Sequence, residues 1–134
     1  MATVPLISDD VASPQALAVF DDIRSRRNTD YVNNFWRALA NDPAQLQAVW
    51  ERLQAVMGPG TLDPLVKEMI YIAVSVSNGC SYCVHSHTAA ARAKGMTAGQ
   101  HGELMAVIAM ASQTNALATA LQVDTDERFT TRSD

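Results

Sequence analysis

The sequence predicts an all-α protein, a single-domain bundle of about six helices. Three observations predict it. Apolar residues recur at spacings of three and four, and no stretch alternates apolar and polar residues as a half-buried strand would. Helix starts are written out by Ser13-Pro14, Asp42-Pro43, Asp63-Pro64 and Thr97, residues whose side chains accept from the free N–H groups of a first turn. Gly58, Gly79 and Gly95 fall where those helices should stop. Short turns between them favour antiparallel neighbours, and no repeat or low-complexity linker interrupts the chain.

Residues 1–12 read as an extended arm. The first helix starts at Ser13-Pro14, carries Leu17, Val19, Phe20 and Ile23, and ends near Arg27. Asn28-Thr29-Asp30 is a break. A short helix then holds Phe35, Trp36 and Leu39. Asn41-Asp42-Pro43 opens the next, with Leu46, Val49, Trp50, Leu53 and Met57 at helical spacing, and Gly58-Pro59-Gly60 stops it. Asp63 caps a helix that runs to about Ser77. It has one stripe of Leu65, Met69, Ile72 and Val76, a second of Val66, Ile70 and Val74, and a polar side of Lys67, Tyr71 and Ser75. A helix so nearly apolar all round is central in a domain or covered by a partner chain. Asn78-Gly79 is a turn, and a helix from about Cys80 to Lys94 ends at Gly95. Thr97 caps a last, Ala-rich helix over about 98–122, with Leu104, Val107, Ile108, Leu117 and Leu121. The domain is expected over 13–123, followed by a polar tail at 124–134. Met57, Met69, Met105 and Met110 are expected to fill core space.

The totals narrow the function classes. The chain has 134 residues, 48% of them hydrophobic and 18% charged, a net charge of −4 and a pI near 5.2. That is a globular composition with room for a core. No basic block marks a nucleic-acid partner. Arg24, Arg26 and Arg27 adjoin Asp21 and Asp22 and read as a solvated helix end. The first ten residues, MATVPLISDD, have neither a basic start nor an apolar run, so no secretory signal is expected. No uninterrupted apolar run of membrane-spanning length occurs, so no membrane association is expected, and a cytoplasmic protein follows. In a reducing compartment two close cysteines suggest redox chemistry or a metal site before a structural staple.

The chemistry concentrates between Glu68 and His87. Cys80 and Cys83 stand in C-x-x-C spacing, and His87 follows Cys83 by four residues. At 100° per residue Cys80, Cys83 and His87 share one helix face, and Cys83 and His87 are within reach of each other. If Asn78-Gly79 makes an antiparallel hairpin, Glu68, eleven residues before Gly79, lies within about three residues, or ~4.5 Å of helix rise, of the height of His87. A carboxylate turned towards a core needs a polar partner, and His87 is the nearest candidate. A thiol attacks as thiolate. A helix N-terminus favours that charge, and a Glu–His pair can take the proton. The bland alternative is two core cysteines with an unrelated surface Glu and a hydrogen-bonded His. Cys80, Cys83, His87 and Glu68 could also bind zinc by ligand type, although no second C-x-x-C supports that reading. No cofactor or metal is expected. His85 and His101 read as surface residues. A thioredoxin-like reading fails for want of strands.

The run LDPLVKEMIYIAVSVSNGCSYCVHSHT, Leu62 to Thr88, resembles the AhpD-like alkylhydroperoxidase/carboxymuconolactone decarboxylase family in its CxxC redox branch. That branch carries a Glu, eleven intervening residues, C-x-x-C, three more residues and a His, matched here by Glu68, Cys80, Cys83 and His87. The Ala-rich helix resembles the family more loosely. The resemblance implies an all-helical fold that forms a homo-oligomer, a trimer or hexamer. It also implies a peroxidase cycle. Cys83 would attack the peroxide substrate, Cys80 would close the disulfide and meet the reductant, and Glu68 and His87 would relay protons. The implied reductant is a dithiol, as on a dihydrolipoamide-bearing protein. Decarboxylase members lack the dithiol, so the cysteines argue against that activity here. One position departs from the family peroxidase: Tyr82 stands where a His precedes the second cysteine. A tyrosine hydroxyl donates a hydrogen bond but is no base near neutral pH. Tyr82, at the border of the site, therefore favours a second reading, a dithiol–disulfide oxidoreductase or redox sensor with little peroxidase turnover. A third reading is a non-enzymatic helical oligomer or binding module.

Overall fold

A computed structural model describes residues 1–130 and is all-α, with no strand among them. The helices are α1 (Pro14–Arg27), α2 (Asn34–Leu39), α3 (Pro43–Met57), α4 (Pro64–Ser77), α5 (Ser81–Ala93), α6 (Ala98–Leu121) and α7 (Glu127–Thr130). The first six match the expected elements within about a residue, because capping side chains set the boundaries. Ser13 accepts from the N–H of Ala16, Asp42 from Gln45 and Asp63 from Leu65. Thr97 and Gln100 form a reciprocal capping box at the start of α6. The expected polar tail contains the short α7, and its last four residues, 131–134, lie outside the described residues.

The chain divides into two compact units, Met1–Gly58 and Pro59–Asp134. In the first, α1 and α2 pack on α3 around Ala16, Phe20, Ile23, Val32, Trp36, Leu46 and Trp50. The Trp36 and Trp50 rings meet edge to face at 5.2 Å, and the buried Trp50 indole donates to Asp22 Oδ2 at 2.7 Å. The N-terminal arm is fixed. Arg37 Nη1 donates to Ile7 O at 2.8 Å, and Asp9 pairs with both Arg24 and Arg37. Arg26 and Arg27 are exposed, as expected of a solvated helix end, although Arg27 also lies over the rings of Trp36 and Trp50. Arg24 departs from that expectation: it is half-buried and held by Asp9, Asp21 and the carbonyl of Asp30.

In the second unit α4 packs on α5 and α6 around Ile72, Ala91 and Met96, with Leu65, Met69, Leu104, Met105 and Ile108 alongside. The buried face of α4 is Glu68, Ile72 and Ser75. These three fall within about 60° of one another around the helix. Ser75, expected on a polar outer side, is thus buried and donates to the carbonyl of Tyr71. The opposite stripe, Val66, Ile70 and Val74, is exposed, as are Val107, Met110, Leu117 and Leu121 of α6. Met110 is therefore no core filler, unlike the partly buried Met69 and Met105. By length and composition α6 is apolar enough to cross a membrane, reaching a mean hydropathy of 1.4, with Gln113, Thr114 and Asn115 inside its span. No residue of α6 is buried.

Candidate active site

The site is built on the α4–α5 hairpin, and one residue joins its two arms. Gly79, at φ +68°, ends α4 in the left-handed conformation that glycine adopts without steric cost. Its N–H bonds to Val76 O, and the N–H of Cys80 bonds to Ser75 O at 2.9 Å, the paired bonds of a Schellman turn. Cys80 then caps α5: its Sγ accepts from the N–H of Cys83 at 3.3 Å. Cys80 and Cys83 are joined in a disulfide, with Cα atoms 5.4 Å apart. α5 closes in a second Schellman turn, with Lys94 as its C-cap and Met96 N–H bonded to Ala91 O. Both helix ends are thereby fixed, which fixes the height of every α5 side chain against α4.

That register brings Glu68 to His87. His87 Nδ1 lies 2.7 Å from Glu68 Oε2, and the Glu68 side chain is only 5% exposed. An ionised carboxylate only accepts, so Nδ1 carries the hydrogen, and Nε2 is the ring nitrogen left for proton exchange. The other carboxylate oxygen, Oε1, accepts from Lys94 Nζ at 2.9 Å. Burial pushes the Glu68 carboxyl up. The hydrogen bonds from His87 and Lys94, with their nearby positive charge, outweigh it and hold the group below the usual carboxylate range. The Tyr71 ring stacks on the imidazole, centroids 3.5 Å apart and planes 18° apart.

All four predicted site residues lie on the α4–α5 hairpin, where Glu68 bonds His87 and Cys80 pairs with Cys83. Tyr82 is exposed in the first turn of α5. Among the described residues no group of three or more His, Cys, Asp or Glu side chains converges as metal ligands would. His85 is exposed, whereas His101 is half-buried.

Sequence reasoning missed Tyr71 and Lys94. Tyr71 was expected on the polar side of α4. It lies on the flank of the Glu68 face, about 60° from Glu68. The signal for Lys94 was the hairpin reflection itself. The mirror position of Glu68 about Gly79 is 90, which falls between His87 and Lys94, so the carboxylate bridges the two.

Comparisons with known proteins bear on the family and the fold. Residues 43–126 match the carboxymuconolactone decarboxylase family. The crystal structure of an alkylhydroperoxidase AhpD core from Rhodospirillum rubrum superimposes with a TM-score of 0.94 at 58% identity, over 98% of this chain and 99% of that one. The alkyl hydroperoxide reductase AhpD of Solibacter usitatus is 37% identical over 75 residues, which are 56% of this chain and 40% of that protein, so the match spans less than half of that relative. An uncharacterized protein of Cupriavidus necator is 34% identical over 57% of this chain and 68% of its own length. The chain belongs to the carboxymuconolactone decarboxylase family, as an AhpD-like member.

Proposed function

We propose that the protein is a thiol-dependent peroxidase that reduces alkyl hydroperoxides through a Cys80/Cys83 dithiol–disulfide cycle. The observation that carries this reading is the Glu68–His87 hydrogen bond, held one turn beyond a cysteine pair at the start of the same helix. In the cycle the Cys83 thiolate attacks the distal oxygen of the hydroperoxide. The O–O bond breaks, the alkoxide leaves as alcohol with a proton from His87, and Cys83 becomes a sulfenic acid. Cys80 attacks that sulfur, its proton leaves with the hydroxyl as water, and the disulfide forms. An outside dithiol such as dihydrolipoamide reduces it by exchange, and its two thiol protons restore Cys80 and Cys83. Glu68 holds the imidazole with Nδ1–H towards itself and Nε2 free to exchange protons. The cytoplasm, which keeps dithiols reduced, suits such a cycle. The exposed ridge of Val66, Ile70 and Val74 on α4 supports a homo-oligomer. Because the chain has a dithiol in place, the decarboxylase activity in the family's name is not the reading favoured.

The test is peroxide consumption with dihydrolipoamide, comparing wild type with Cys80→Ser and Cys83→Ser. Turnover by the wild type and its loss in both variants supports the peroxidase. One observation favours a second reading, a dithiol oxidoreductase or sensor: Tyr82 occupies the position next to Cys83 and supplies no second imidazole. That reading expects a reversible disulfide with only stoichiometric oxidation by peroxide. Reduced protein inert to peroxide overturns the first reading.

A further inference from the structure

The Glu68 carboxylate is shared. Oε2 takes the bond from His87 Nδ1 and Oε1 takes that from Lys94 Nζ, at 2.7 and 2.9 Å. Lys94 stands seven residues after His87, so it lies on nearly the same face of α5 two turns on, and Glu68 sits at a height between them. Helix side chains lean towards the N-terminus, so the Lys94 stem runs back along α5 to the carboxylate. Its backbone is fixed as the C-cap of α5 by bonds to Ala90, Ala91 and Arg92 carbonyls. An exposed ion pair contributes little. This one ends on a carboxylate 5% exposed, where a negative charge without a partner is costly.

We propose that Lys94 is a positioning residue of the relay, holding Glu68 ionised and turned so that it accepts the Nδ1–H of His87. The proposal rests on the thiol-cycle reading for its purpose, but its geometry is independent of the oxidant. The groups facing Glu68 are few. From α5 and its cap come His87 and Lys94. On α4 itself Tyr71 is stacked on His87, and Lys67 is the adjacent residue in sequence. From α6, His101 and Glu103 make no hydrogen bond or ion pair to it. Lys94 is thus the lysine hydrogen-bonded to the carboxylate. Without it burial favours the neutral acid, whose hydroxyl hydrogen competes for the orientation that Nδ1–H needs. His87 would then lose its fixed tautomer at mildly acidic pH, and thiolate formation with it.

The experiment measures the pH profile of iodoacetamide alkylation of the reduced protein, which needs no peroxide, beside peroxide turnover. Wild type, Lys94→Gln, Lys94→Arg, Glu68→Gln and the Lys94→Gln/Glu68→Gln double variant are compared. The expected result is that Lys94→Gln moves the acid limb of alkylation up by about one pH unit. Lys94→Arg should restore it, and Lys94→Gln should shift nothing further in the Glu68→Gln background. A Lys94→Gln profile that superimposes on wild type overturns the proposal, even if thermal stability falls, since a merely structural lysine would do just that. An equal shift in the Glu68→Gln background overturns it too. If wild type alkylates with a resolved profile but consumes no peroxide, the peroxidase reading fails while the Lys94 assignment is still decided by the shift.

Discussion

The Tyr71 ring lies flat against the His87 imidazole, centroids 3.5 Å apart. The imidazole is therefore held on an edge by Glu68 and on a face by Tyr71, and both come from α4, three residues apart. Tyr71→Phe keeps the ring and should leave peroxide turnover within about twofold of wild type. Tyr71→Ala removes a contact worth about 0.5–1.5 kcal/mol. It should lower kcat/KM by a few-fold to about tenfold, with the loss carried by kcat. Steady-state peroxide kinetics on the two variants separates the stack from the hydroxyl.

Glu68 couples the site to acid stability. Its carboxyl is held below the usual range, with burial opposing and the bonds from His87 and Lys94 prevailing. A group depressed in this way contributes stability above its unfolded-state value, near pH ~4.3, and loses it as pH falls through the folded value. Glu68→Gln removes that contribution. The Tm difference between wild type and Glu68→Gln should therefore be constant from neutral pH down to roughly pH 5 and shrink below that. Thermal melts across pH 3–7 would check this, and a difference that grows towards acid would refute it.

The hairpin register depends on Gly79. A Cβ there would meet nothing within 4 Å, so the cost of Gly79→Ala is purely that of its backbone, at φ +68°. Urea unfolding should show a loss of about 1–2 kcal/mol, the cost of a left-handed conformation for an L-residue. Gly79→Asn should cost less, since asparagine tolerates that region.

In the first unit the buried indole of Trp50 donates to Asp22, and that bond is the leading cause of the lowered Asp22 carboxyl. Trp50→Phe keeps an aromatic ring against Trp36 but loses the donor. It should destabilise by about 1–3 kcal/mol in urea titration, the range for a hydrogen bond to a charged group with some loss of packing.

The fold was legible because the sequence marks its boundaries chemically: Ser13, Asp42, Asp63 and Thr97 each cap the helix they were expected to cap. The Glu68–His87 contact was legible because one turn, at Asn78-Gly79, sets the heights of both. What hydrophobicity alone did not show is which face of α4 is buried: a helix apolar nearly all round offers little contrast, and Val66, Ile70 and Val74 are as apolar as Ile72. The deciding residue was the polar one. Glu68 has its partners on α5, and it turns Ile72 and Ser75 inward with it. Lys94 escaped notice because a lysine at a helix end ordinarily answers the helix dipole, and only the hairpin reflection, not its own neighbourhood, points to a carboxylate a helix away.

Cys80 closes α4 with its backbone N–H and opens α5 with its sulfur. The residue is a joint as well as, in the proposed cycle, a reagent. Electrons gained or lost at that sulfur alter the very atom on which α5 rests its first turn, while the end of α4 is secured by a bond that chemistry at the side chain does not touch. Of the two arms of the hairpin, one is a fixed post carrying Glu68 and Tyr71, and the other begins at the atom whose oxidation state would change in the proposed cycle.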